Sequence, residues 1–280
     1  MLKGLTDERL SQGSRQGTIA RYTEPIDMSI RITSPSPSPA LVRETRSVFA
    51  RSFGLAVAAM SLPVLGGAVN AVSALTGLAL FAGLLFAVER GLTAHHPHSR
   101  LGAANRITLL RAAIACLIAA RAIEPASIGR PERWLLAALA AGALMLDGAD
   151  GWAARRQGLA SAFGARFDME VDAFAILILA TTVVKAHAAP IWVLAIGAMR
   201  YLYLAAALAL PRLRRPLPPR PIADRRRKTI AVIQSVGLII ALVPTTEPAS
   251  AAVICAAALA LLVYSFAADI VILRSTRPHR

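Results

Sequence analysis

Residues 147–172 read DGADGWAARRQGLASAFGARFDMEVD. Five of the chain's 16 acidic residues fall in this window: Asp147, Asp150, Asp168, Glu170 and Asp172. The window joins two apolar runs, 133–155 and 165–187, each within the roughly 17–25 residues that a membrane-spanning helix needs. The acids therefore lie at the end of one expected span and the start of the next, where ionisable side chains are costly and mark function. Asp147 and Asp150 are spaced i,i+3 and Asp168 and Asp172 i,i+4, so each pair shares a helix face. Glu170, two residues from each of its neighbours, points elsewhere. The short polar connection 155–163 makes the two helices an antiparallel hairpin. It brings the four aspartates to one level just below a membrane surface.

The rest of the chain agrees with a membrane setting. Of 280 residues, 56% are hydrophobic and 17% charged, with a mean hydropathy of +0.55. Soluble domains carry about 25% charged residues, so a soluble globule is excluded, and the apolar content excludes general disorder. Apolar runs at 48–67, 70–89, 104–123, 133–155, 165–187, 190–210, 229–247 and 249–272 predict eight spans. The first pair is broken by Pro63, Gly66 and Gly67. No strand pattern appears. The expected fold is an all-α polytopic membrane helix bundle, divided into a disordered cytoplasmic tail (1–45), an N-terminal membrane helix pair (46–92) and a six-helix core (100–275).

The net charge of +15 would suggest nucleic acid in a soluble chain. In an apolar chain it indicates basic loops on the anionic cytoplasmic leaflet, and no nucleic-acid partner is expected. Basic-rich breaks at 90–111, 155–166 and 211–228 alternate with poorer ones, which puts both termini and the carboxylates on the cytoplasmic side. The Pro/Ser tract Ser34–Pro39 closes a tail without the apolar stretch of a signal peptide, and Met28 is an alternative start. Cys116 and Cys255 lie in apolar runs without metal or disulfide spacing. His95, His96 and His98 read as a solvated loop.

Four unpaired carboxylates at close range would repel one another and protonate. Divalent cations remove that conflict, and hard oxygen ligands without His or Cys suit Mg²⁺ or Mn²⁺, two ions together being a common phosphoryl-transfer device. Gly151, Ala154 and Gly164 keep the walls beside the carboxylates low enough for a nucleotide, although the same small residues also suit helix packing. Arg200, inside the apolar run 190–210, would bind an anionic acceptor, pair with one of the aspartates or reach an interface. Arg212, Arg214, Arg215, Arg220, Arg225, Arg226, Arg227 and Lys228 are either a solvated loop or an acceptor clamp.

The pattern Asp147-x2-Asp150-Gly151-x2-Ala154-Arg155-x8-Gly164-x3-Asp168-x3-Asp172 resembles, position for position, the signature of the CDP-alcohol phosphatidyltransferases. Asn105-x2-Thr108-x2-Arg111 resembles the start of that family's first core helix, and Lys228-Thr229 the start of the fifth in members that use glycerophosphate. The resemblance covers about residues 100–275. It implies transfer of a phosphatidyl group from a CDP-linked lipid, such as CDP-diacylglycerol, to an alcohol, with release of CMP, in phospholipid biosynthesis. It implies that Asp147, Asp150, Asp168 and Asp172 hold the metals, with Asp172 also the general base. Gly151, Ala154, Arg155, Gly164 and Thr108 would contact the nucleotide, and Arg200, Lys228 and Arg111 the acceptor. Glycerol 3-phosphate is the leading acceptor, with inositol phosphate, serine or another lipid alcohol as alternatives. Membrane lipids and a second copy of the chain are the implied partners, and a bacterial inner membrane the implied location. Two different readings of the same residues are a cation transporter and a catalytically lapsed scaffold.

Overall fold

A computed structural model describes residues 39–95, 100–157, 161–210 and 221–275. The expected tail to residue 38, His96 and His98, and the loop arginines Arg212, Arg214, Arg215 and Arg220 lie outside the described residues. Among those described there are eight long helices and no strand. They are α1 (Pro39–Leu65), α2 (Ala71–His95), α3 (Gly102–Ile123), α4 (Arg130–Gln157), α5 (Ala162–Lys185), α6 (Leu194–Ala209), α7 (Pro221–Leu242) and α8 (Pro248–Ser275). The all-α bundle expected from the sequence is the observed fold.

Four stretches are long and apolar enough to cross a membrane by length and composition: Leu41–Leu65, Ala71–Gly91, Ile191–Ala209 and Pro248–Ile272. The other four long helices carry the charged residues of the central site and its surroundings, which lower their hydropathy. Many large apolar side chains face outward, among them Leu62, Leu65, Met145, Leu208 and Val253. In water such a surface would aggregate; against lipid tails it is at no disadvantage.

Two helices begin two turns or more before the apolar runs predict. α1 starts at Pro39, inside the stretch read as tail, because proline suits the first helical position. Leu41 and Thr45, in its first two turns, are buried. α7 starts at Pro221, so Arg225, Arg226, Arg227 and Lys228 are helical and not loop residues. A tertiary ion pair holds them there: Arg226 Nη2 lies 2.5 Å from Asp269 Oδ1 of α8, and Arg227 Nε 3.4 Å from Asp269 Oδ2. Pro63 does not split the first pair. α1 continues two residues past it to Leu65, and Gly67 just beyond has a φ of +71°, the left-handed conformation that glycine adopts without strain.

α3 is the central post, packing on α1, α2, α4 and α5. Ala112, Ala115, Cys116, Ala119 and Ala120 are buried along it, and these small side chains let its neighbours approach closely. At the end where α3 and α5 begin, one apolar cluster joins Phe81, Leu85 and Val88 of α2 to Leu101, Leu109, Phe167 and Val171. Towards the other end a second cluster joins Ile118, Leu136, Val183, Val193, Leu238 and Cys255.

The connection between α3 and α4 is tied by polar groups. Glu124 accepts hydrogen bonds from the Asn70 backbone N–H at 2.9 Å and Asn70 Nδ2 at 3.1 Å. Asn70 Oδ1 accepts from Ser73 N at 2.8 Å, which caps α2. Arg121 donates to Glu132 at 2.8 and 3.1 Å and to the carbonyls of Ala126 and Ser127. The Asn70 amide holds the Glu124 carboxyl below the usual range, and the Arg121 side chain does the same for Glu132.

Candidate active site

The site is built where α3, α4 and α5 meet. Ser161 opens α5 as its N-cap, its hydroxyl accepting from Gly164 N at 3.0 Å. Asp168 and Asp172 follow on one face, a turn apart. Asp147 comes from α4, so that one carboxylate oxygen from each of Asp147, Asp168 and Asp172 lies within 4.8 Å of the others. The three carboxylates are part-exposed, at 26%, 35% and 31%. Arg111 of α3, only 6% exposed, closes the cluster from within. Its Nη1 lies 2.8 Å from Asp147 Oδ1 and 2.6 Å from Asp168 Oδ1, and its Nη2 pairs with Asp172 Oδ1.

The other expected site residues fall as follows. Asp150, Gly151, Ala154 and Arg155 are in α4 beyond Asp147, but their side chains lie outside the described residues. Gly164 faces α3: a Cβ there would sit 3.0 Å from Asn105 Oδ1 and 3.3 Å from Ser161 Oγ, a tight fit that a small residue relieves. Thr108 is buried, with its hydroxyl donating to Ala104 O at 3.1 Å. Lys228 is exposed on α7, the helix that packs on α4. Arg200 pairs with Glu170, its Nε 3.3 Å from Glu170 Oε2. This is the expected divergence of Glu170 from Asp168 and Asp172, and it puts the Arg200 guanidinium on Glu170 and not on the aspartates.

Sequence reasoning did not find the Arg111 position. Arg111 was read as an acceptor ligand, with no signal of contact to the aspartates 36 to 61 residues away. An arginine set between Leu109-Leu110 and Ala112-Ala113-Ile114 was the available hint. Asp269, the anchor of Arg226 and Arg227, was also passed over, although a lone acid in an apolar run carries the same hint.

The donor set suits a hard divalent cation: carboxylate oxygens from two helices, gathered within one coordination sphere and open to solvent on one side. A bundle of apolar helices around such a cluster fits a membrane protein that handles charged groups. The family comparison makes the class specific. The family model for CDP-alcohol phosphatidyltransferase matches residues 101–264, more than half of the chain, and the chain belongs to that family. Membership implies a transferase of substituted phosphate groups, moving a phosphatidyl group from a CDP-alcohol to an acceptor. With its four apolar spans, the chain is an integral membrane protein. No curated protein and no solved structure gives a match.

Proposed function

We propose that the protein transfers the phosphatidyl group of CDP-diacylglycerol, or a similar CDP-linked lipid, to a small alcohol in phospholipid biosynthesis. The acceptor favoured is glycerol 3-phosphate. The observation that carries this reading is the convergence of Asp147, Asp168 and Asp172 within 4.8 Å, at the family's spacing and inside the family match.

Asp147, Asp150, Asp168 and Asp172 would hold Mg²⁺ or Mn²⁺. Bound there, the cations neutralise the diphosphate and stabilise the charge that develops on the departing CMP. Asp172 takes the proton from the acceptor hydroxyl as its oxygen attacks the phosphorus nearest the lipid. The bond from that phosphorus to the bridging oxygen breaks, CMP leaves with the electron pair, and a phosphodiester remains. Gly151, Ala154 and Gly164 line the cytidine side, with Arg155 and Thr108 beside them. Lys228, exposed on the helix that packs on α4, would attract an anionic acceptor. Arg200 could serve the acceptor only after releasing Glu170. The site faces the cytoplasm of a bacterial inner membrane, in a homodimer.

The test is CMP release from CDP-diacylglycerol by purified protein in nanodiscs, with single alcohols, Mg²⁺ or Mn²⁺, and EDTA as the control. Metal-dependent release with glycerol 3-phosphate is expected. Release with a different alcohol would replace the acceptor, and metal-independent release would overturn the site chemistry.

A further inference from the structure

Arg111 engages the carboxylate oxygens a bridging cation would need. Its Nη1 is shared between Asp147 Oδ1 at 2.8 Å and Asp168 Oδ1 at 2.6 Å, while Nη2 takes Asp172 Oδ1. One guanidinium thus engages three carboxylates from two helices. Mg²⁺ binds carboxylate oxygens at about 2.0–2.1 Å. A cation held between Asp147 and Asp168 through these oxygens would compete with Nη1 for the same acceptors and repel its charge, so the ion and this arrangement of Arg111 oppose each other. The planar fork of arginine suits the task, since its donors spread over several oxygens at once where a lysine ammonium is a single point. At 6% exposure the guanidinium has little water to turn to, and its neutralisation comes from the aspartates.

We infer that Arg111 is the exchangeable counter-cation of the aspartate cluster. It neutralises Asp147, Asp168 and Asp172 when they hold no divalent ion, keeps α3 docked on α4 and α5, and is displaced when the ion enters. Arg111 is then a positioning residue that sets the metal affinity of the site, and it makes lone-cation binding weaker than the carboxylates alone would allow. The inference rests on the metal reading proposed above.

The experiment is a Mn²⁺ titration of the full-length protein in nanodiscs, followed by electron paramagnetic resonance, with melting temperatures before and after Mn²⁺ addition. Wild type, Arg111→Gln and Arg111→Lys are compared. Removing one partner of a buried charge cluster leaves the others uncompensated, so Arg111→Gln is expected to bind Mn²⁺ about tenfold more tightly or more. After EDTA treatment it should melt lower than wild type, and Mn²⁺ should raise its melting temperature by more. Arg111→Lys, which keeps the charge and loses the fork, should fall between the two and serves if the glutamine variant does not fold. Equal or weaker Mn²⁺ affinity in both variants overturns the exchange and leaves the metal site standing. Absence of Mn²⁺ binding by wild type overturns the metal reading itself, and the exchange with it.

Discussion

Asp172 carries two demands at once, a place in the carboxylate cluster and the proton of the attacking alcohol. Asp172→Asn keeps size and one oxygen while losing basicity. It is expected to lower CMP release by about 10²–10⁴-fold, the usual worth of a general base, while Mn²⁺ binding persists through Asp147 and Asp168. Normal CMP release by this variant would remove the base assignment. Gly197 is a second residue-scale test, of packing and not of chemistry. A Cβ at Gly197 on α6 would run into the Leu177 backbone of α5, which cannot yield as a side-chain tip would. Gly197→Ala should cost about 1–3 kcal/mol of stability through overpacking, read as a lower melting temperature in detergent. An unchanged melting temperature would mean that α6 slides freely on α5. The aspartates were legible in the sequence because helical spacing alone sets their faces. The close fit of Gly164 was not, since Asn105, the neighbour that crowds a Cβ there, comes 59 residues earlier.

At the scale of elements, the connection between α3 and α4 is held by two carboxylates with lowered pKa. Asn70 holds Glu124, and Arg121 holds Glu132, below the ordinary value of 4.5. A depressed carboxyl stabilises the fold fully above its ordinary value, and that contribution is lost as pH falls through the folded value. Melting temperature should therefore be insensitive to these groups near neutrality and should drop as the medium is acidified below 4.5. Glu124→Gln combined with Glu132→Gln should melt lower than wild type at neutral pH, with the gap narrowing in acid. A gap that stays constant with pH would show that charge is not what these residues contribute. The helices themselves were readable from their apolar runs, and their starts were not. Pro39 and Pro221 begin helices that polar residues continue, and those residues are held by partners such as Asp269, 43 residues beyond Arg226.

Over the whole molecule, the family match begins at residue 101, but the packing does not. Phe81, Leu85 and Val88 of α2 are buried in the same cluster as Leu109, Phe167 and Val171, and the Phe163 ring lies against Gly91. Glu44 of α1 pairs with Arg106 at 2.6 Å, next to Asn105. Deleting residues 1–38 should leave CMP release and melting temperature unchanged. Deleting 1–100 should strip the apolar cover from α3 and α5 and abolish stable expression in the membrane. A stable, active 101–280 fragment would show that α1 and α2 are dispensable. The sequence by itself determined the all-α membrane bundle and the helical spacing of its carboxylates, because hydropathy and helical period are local properties of the chain. Only the tertiary structure decided that Arg111 lies among Asp147, Asp168 and Asp172, that Arg200 answers Glu170, and that α2 covers the base of the site. Each depends on which helices become neighbours, and charge neutralisation and close packing settle that across distances no local pattern encodes.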